Sequence, residues 1–298
     1  MQKQVFMKYY FFTLCFIIML PQIMNAQRKR AFLVGISNYK TNGYKAWNNI
    51  HGAEDIKLLI PELRKKGFTI QSLVNEVATY NGIVNELRNF IVNTRTGDIV
   101  YIHFSCHGQP VEDGLKNDKI DEKDHWDEAI VPIDAGHKYE LSGYHGNKHL
   151  TDDELNGYIA NLRKKIGPTG MLYIAIDACH AGTLSRKGMD TVRGTNEGLT
   201  RTGKKYNPPI ENTKHYYLPK NSKLAPTTLL EACRSRERNT EIMINGKEYG
   251  ALTYNICQAL HRMSTFDKKS KEIFLNYIYT SIKVKGHWPR TQTLVIED

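Results

Sequence analysis

Two stretches of this chain end in side chains that can do covalent chemistry. Leu172-Tyr173-Ile174-Ala175-Ile176 is an apolar run that stops at Asp177, Cys179 and His180, with Gly182 just beyond. Ile99-Val100-Tyr101-Ile102-His103-Phe104 has the same grammar and stops at Ser105, Cys106, His107 and Gly108. A thiol and an imidazole are the parts of a nucleophile and its base. As thiolate, Cys179 would attack a carbonyl carbon, and His107 would protonate the leaving amine. The backbone N–H groups of Gly108 and Cys179 are the candidates for stabilising the oxyanion, and Gly108 lets a substrate backbone come close. Read singly, Cys179 is as well described as an inert buried thiol and His107 as a core histidine. Together, each at a strand end with glycine close behind, they predict hydrolysis of an amide. His180 reads as structural and His103 as a hydrogen-bonded core side chain.

The apolar runs have the composition of strands buried on both faces, and reactive groups at the C-terminal ends of such strands lie where open α/β sheets bind ligands. Alternation puts Asp177 and Cys179 on one side, and Ser105 and His107 likewise, provided strand geometry continues to the tips. Further strands are expected at Ala31–Ile36, Phe68–Val74, Thr227–Cys233 and Gln292–Ile296. Helical spacing appears over Glu54–Lys66, where Pro61 implies a kink or a late start, and over Tyr80–Asn93, Thr253–Met263 and Lys271–Ile282. Thr151 followed by Glu154 has the pattern of a capping box opening another helix. Between His107 and Ile130 an acidic, lysine-containing loop is expected. Strands alternating with helices predict an α/β fold with a mostly parallel central sheet flanked by helices on both faces.

Lys3 and Lys8 precede an apolar run from Tyr9 to Leu20, and Ala26 offers a small residue before Gln27. That is the pattern of a secretory signal peptide over residues 1–26, too short for a comfortable membrane span. A secreted or periplasmic protein without stable membrane insertion after cleavage is therefore expected. Residues 27–298 suffice for one large domain. The two lysines account for two of the formal +10 charges, and most of the remaining excess falls between Arg186 and Lys223. A solvated loop at about 184–225, between a larger and a smaller part of the domain, explains that excess better than nucleic-acid binding does. Four cysteines follow the signal segment, at 106, 179, 233 and 257. Each lies within or at the tip of a predicted element, so free thiols are expected, with Cys233 and Cys257 as small buried hydrophobes.

His107-Gly108-Gln109 together with Asp177-Ala178-Cys179-His180-Ala181-Gly182 resembles the paired motifs of the caspase-like cysteine peptidases. A caspase nucleophile follows Gln-Ala, with its histidine about 50 residues upstream. Here Asp stands in place of Gln and the gap is 72 residues, which is similar to the metacaspases. The likeness takes in Gly52 to Asp55, Trp126 to Asp134 and Thr253 to Leu260. It implies an endopeptidase that needs no cofactor for its chemistry and cuts protein or peptide substrates after Arg or Lys. A carboxylate at Asp177 beside the nucleophile would pair with a guanidinium. The resemblance adds Asp55 as a second acid in that pocket and Ser105 as a hydrogen-bonding wall. Asp55 also reads as an ordinary acid in a helix's first turn.

The same resemblance implies a calcium site at Asp127, Asp152 and Asp153, whose hard oxygens suit that ion. Its fourth position carries Arg186, a cation where an anion is wanted, and the two adjacent aspartates also read as helix-start acids. Cys106 stands where the family has glycine and is expected to point away from His107. Once basic specificity is granted, Arg186, Lys187, Arg193, Arg201, Lys204 and Lys205 become candidate self-cleavage sites in a loop that blocks the pocket beforehand. The competing reading is a zinc-binding regulatory module using Cys106, His107, Cys179 and His180, or a non-catalytic peptide-binding relative. Adjacent pairs at two strand ends are not the usual Cys-x-x-Cys spacing, and that reading leaves the acids unexplained.

Overall fold

The computed structural model describes residues 27–39, 46–116, 125–179, 191–208, 216 and 218–298. The predicted signal segment, Arg186, Lys187 and His180 lie outside them. In chain order the elements are β1 (Lys29–Gly35), α1 (Gly52–Lys65), β2 (Phe68–Val74), α2 (Tyr80–Val92), β3 (Ile99–Ser105), β4 (His107–Glu112), β5 (Trp126–Val131), β6 (Leu150–Thr151) and α3 (Asp152–Ile166). There follow β7 (Met171–Asp177), β8 (Thr227–Glu231), β9 (Glu241–Ile244), β10 (Lys247–Gly250), α4 (Ala251–Arg262), α5 (Lys271–Ile282) and β11 (Val295–Glu297).

Six strands form the central sheet in the order β11-β8-β7-β3-β1-β2. All neighbours are parallel except the short β11, which runs antiparallel to β8. The period-2 alternation of β1, β3 and β7 splits the core in two. Phe32, Val34, Ile102, Phe104, Ile174 and Ile176 face α2 and α3 through Leu87, Phe90, Ile159 and Leu162. Ala31, Leu33, Tyr101, Tyr173 and Ala175 face α1, α4 and α5 through Leu59, Leu63, Ile256, Leu260 and Phe274. Continuous apolar runs in these strands follow from burial on both faces.

In β1, β3 and β7 the residue level is shared: Gly35 sits opposite Ser105, and Ser105 opposite Asp177. The sheet order reverses at β1, so β1, β3 and β7 open beside a switch point at their C-terminal ends. This register is the frame on which the strand-tip groups are hung.

Several expectations need correction. Strand geometry does not continue from Ser105 to His107: β3 stops, and His107 opens β4, which pairs antiparallel with β5 in a separate three-stranded sheet. The segment read as an acidic loop is therefore partly a hairpin. A second hairpin, β9–β10, was not anticipated, although Asn245-Gly246 signals it; φ of 50° and 77° there supplies the left-handed pair that such turns require. Helix α1 starts early, at Gly52, and contains Pro61 within its length, so the late start is not found. Thr151 does cap α3, its Oγ1 accepting from Glu154 N at 3.4 Å. Glu154 turns away from that cap to accept from Tyr80 OH at 2.8 Å and Lys116 Nζ at 2.7 Å, so the reciprocal half of the box is replaced. None of the four cysteines after the signal segment forms a disulfide; Cys106, Cys179 and Cys257 are buried, whereas Cys233 is partly exposed. Among the described residues no helix is long and apolar enough to cross a membrane.

Ile174 is fully buried at the centre of β7, so its methyls report directly on the packing that holds the nucleophile's strand. In a Cys179→Ala background, Ile174→Ala should cost about 3–4 kcal/mol and Ile174→Val about 1 kcal/mol in urea unfolding. A loss below about 1 kcal/mol for the alanine variant would contradict this placement of the core.

Candidate active site

Cys179 lies two residues beyond the end of β7 and is 1% exposed; His107 opens β4 and is fully buried. The Cys179 thiol donates to the Glu237 carbonyl at 2.8 Å. His107 Nε2 lies 2.8 Å from the Asn48 carbonyl, which can only accept, so Nε2 holds the proton and Nδ1 is the basic nitrogen. That Nδ1 is buried with no hydrogen-bond partner among the described residues. The ring is clasped by Trp47, stacked at 5.0 Å, and by Tyr39 at 4.8 Å. Tyr39 OH donates to the Val131 carbonyl at 2.8 Å and accepts from His107 N at 3.1 Å, fixing the start of β4. Burial lowers the His107 pKa to about 4, so the imidazole is neutral and can take a proton.

The space beside these residues is filled by the chain itself. Arg193, from the basic loop, is fully buried. Its carbonyl oxygen accepts from Cys179 N at 3.0 Å and from Gly108 N at 3.3 Å, the two N–H groups singled out as oxyanion donors. Gly194 bridges to both Gly108 and Cys179 in parallel sense. A Cβ on Gly194 would stand 1.8 Å from the Cys179 carbonyl oxygen, so only glycine allows that approach. On the other side Arg193 N donates to Asn239 O at 2.9 Å, Val192 pairs antiparallel with Thr240, and Glu241 N donates to Thr191 O at 2.9 Å. The segment 191–194 is thus laid along residues 239–241 as an added strand.

The Arg193 guanidinium enters a pocket of acids. Its Nη2 is 2.8 Å from Asp55 Oδ2 and 2.7 Å from Glu241 Oε1, and its Nε donates to the same Glu241 oxygen at 3.0 Å. Nη1 donates to Ser105 Oγ at 2.5 Å and lies 3.8 Å from Asp177 Oδ1. Asp55, Asp177 and Ser105 therefore converge on one cation. Ser105 Oγ donates in turn to Asp55 Oδ2 at 2.6 Å. Asp177 accepts from Asn239 Nδ2 at 2.8 Å, Thr253 N at 2.8 Å and Thr253 Oγ1 at 2.7 Å. Thr253 continues through His103 Nε2 at 2.9 Å to Tyr101, so His103 is the bonded core side chain expected of it. Burial raises the Asp55 pKa to about 7 even though the Arg193 guanidinium pulls it down; Asp177 pushes it further up. Burial also works against ionised Glu241, but Arg193 and two bonds from His51 outweigh it and hold its pKa below the usual value. Burial alone would lower the Arg193 pKa; the three carboxylates reverse that and raise it.

Several site residues were not singled out from the sequence. Glu241, Asn239, Glu237 and Asn48 carry no motif of their own and are brought in by folding, and Thr253 lies in a stretch of the family likeness that implies no role for it. Gly250 is another: a Cβ there would come within 2.2 Å of Asp177 Oδ2 and 2.7 Å of Arg193 Nη1, so glycine keeps the pocket floor open. Of the basic candidates in the loop, Arg201, Lys204 and Lys205 are exposed, which sets Arg193 apart.

The three aspartates read as calcium ligands come from two elements. Asp127 lies on β5, and Asp152 and Asp153 begin α3, where Asp152 Oδ1 accepts from Glu128 N at 3.2 Å. Among the described residues, the group whose candidate ligand atoms lie within 4.8 Å of one another is His51, Glu241 and Glu248. Neither the three aspartates nor Cys106, His107 and Cys179 form such a group among the described residues. Cys106 is buried, its pKa pushed up by burial to about 12.

The profile of the caspase domain matches residues 28–283. Metacaspase-2 of Arabidopsis thaliana is 31% identical over 165 residues, 53% of this chain and 35% of that protein. Metacaspase-1 of Cryptococcus neoformans is 24% identical over 300 residues, 87% of this chain and 60% of that protein. The chain thus spans less than two thirds of these relatives' length. A solved Geobacter sulfurreducens structure superposes with a TM-score of 0.57 at 16% identity, covering 91% of this chain and 92% of that one, a likeness of fold. With a profile match over most of its length, this chain, whose parallel sheet carries Cys179 just beyond β7 and His107 just beyond β3, belongs to the caspase-domain family.

Proposed function

We propose that this protein is a cysteine endopeptidase that cuts after Arg or Lys and first cuts itself between Arg193 and Gly194. The observation that carries the reading is the pose of Arg193. Its side chain is neutralised by the acids while its carbonyl oxygen rests on two N–H donors, which is how a substrate residue would be held before attack. In the uncut chain the same pose covers Cys179, so the loop is both first substrate and block.

The chemistry follows from the groups present. Cys179 turns from the Glu237 carbonyl, gives its proton to His107 Nδ1 and attacks the Arg193 carbonyl carbon. The developing oxyanion is held by the N–H groups of Gly108 and Cys179. His107 returns the proton to the Gly194 nitrogen as the C–N bond breaks, leaving a thioester on Cys179. Water, deprotonated by His107, then releases the Arg193 carboxylate and restores the thiol. Residues 1–26 are proposed as a secretory signal, so the processed protein would be secreted or periplasmic.

Three variants of the purified protein test this. The wild type should yield two pieces, one beginning at Gly194, the other at Gln27 if the signal is removed. Cys179→Ala should stay whole, and Arg193→Ala should lose the Gly194 terminus. A wild-type chain that stays intact under all conditions overturns self-processing. A fragment still beginning at Met1 removes the signal proposal. Arginyl and lysyl peptides left uncut by wild type and Arg193→Ala alike would remove the peptidase reading itself.

Asp55 makes binding pH-dependent. Its carboxyl titrates at about 7 with Arg193 seated. The charge of a seated guanidinium favours the ionised Asp55 carboxyl, so affinity should rise as pH increases through about 7. Competitive inhibition of processed enzyme by agmatine should strengthen accordingly, and Asp55→Asn should weaken and flatten it. The same inhibition constant at every pH in wild type would contradict this role.

A further inference from the structure

The pocket holds one more carboxylate than the strand ends and α1 supply, and that third acid is placed differently from the others. Asp55, Ser105 and Asp177 surround the two terminal nitrogens of the Arg193 guanidinium. Glu241 instead grips its flank: Oε1 accepts from Nη2 at 2.7 Å and from Nε at 3.0 Å. We propose that Glu241 makes this pocket select arginine over lysine, an inference that rests on the basic-residue cleavage proposed above and refines it.

The two side chains differ where Glu241 touches. Arginine has an N–H at the position where lysine has its last methylene, and the lysine ammonium ends near the place of the guanidinium carbon. Lysine therefore has nothing to donate at the Nε position, and its single nitrogen falls short of the oxygens that hold the arginine tips. The side chain of Glu241 is fully buried, so a lysine would leave a desolvated carboxylate without one of its donors. Nor can Glu241 swing to follow a shorter partner. His51 N donates to its Oε1 at 2.7 Å, His51 Nδ1 sits 2.6 Å from Oε2, and the Glu241 amide is committed to Thr191 O. The carboxylate is thus fixed at the start of β9 in the orientation that meets a fork. Asp55 and Asp177 would attract any cation by charge; Glu241 reads the shape of one.

Processed enzyme should be assayed on matched fluorogenic peptides ending in Arg or Lys. Wild type should favour arginine in kcat/KM by roughly ten- to a hundredfold, the range of one or two hydrogen bonds to a charged group. Glu241→Asp keeps the charge but withdraws the oxygens by one methylene; it should collapse the ratio to within a few fold, mainly through loss of arginine turnover. Equal turnover of both peptides by wild type, or an unchanged ratio in Glu241→Asp, overturns the inference while leaving the peptidase reading intact. A second readout needs no turnover. In uncut Cys179→Ala protein, Arg193→Lys should lower the melting temperature, and the same change in a Glu241→Asp background should cost much less. Equal losses in both backgrounds would also overturn it, and a wild-type-like circular dichroism spectrum of Cys179→Ala/Glu241→Asp at low temperature guards against misfolding as the cause.

Discussion

A single buried guanidinium among three carboxylates is the interaction on which the rest of this site depends. Asp55, Asp177 and Glu241 are each almost wholly shielded from water, and so is Arg193. Three acids crowded in a medium of low dielectric repel one another and lose their hydration. The raised pKa of Asp55 reflects that lost hydration first and the repulsion from Asp177 after it. Such a pocket has a standing demand for a cation of the right shape, and the chain meets it from its own loop. The consequence is positional: once the side chain is drawn in, the backbone at Arg193 falls across Gly108 and Cys179 and the thiol is covered.

The frame that permits this is the register of the parallel sheet. Ser105 and Asp177 are level neighbours at the ends of β3 and β7 because both strands start in step, Ile99 opposite Met171. Helices α1 and α4 deliver Asp55 and Thr253 to the same level, and the β9–β10 hairpin closes the pocket with Glu241 and Gly250. Hydrogen bonds from Gly250 N to Asp55 at 3.0 Å and from Thr253 N to Asp177 at 2.8 Å tie the hairpin and α4 to the acids. The acid pocket and the Cys179 thiol thus share one scaffold, since Asp177 closes β7 two residues before Cys179.

Much of the fold was legible because buried parallel strands and amphipathic helices have strong local signatures. The runs at Ala31, Ile99 and Leu172 needed no context, and neither did the Cys179 and His107 tips. The role of the 107–112 segment was hidden because its Gly, Gln and Pro argue against a strand; pairing with β5 overrides that preference. Glu241 was hidden for a different reason: it lies far in sequence from every residue it serves, next to an arginine-rich stretch that reads as solvated. Arg193 stood among six loop candidates, and nothing local distinguishes it from Arg201. Tertiary burial does. Alternation paired Asp177 with Cys179 and Ser105 with His107, but β7 ends at Asp177 and β3 at Ser105, so strand geometry reaches neither the thiol nor the imidazole.

The seated guanidinium can be observed directly in uncut Cys179→Ala protein carrying nitrogen-15 arginine. Arg193 Nε–H, fully buried and bonded to Glu241, should give a side-chain resonance that exchanges slowly with solvent and disappears in Arg193→Lys. If Arg193→Lys removes only a fast-exchanging resonance, Arg193 is in solvent, the pocket is filled by something else or by nothing, and the account of a self-occupied site is wrong.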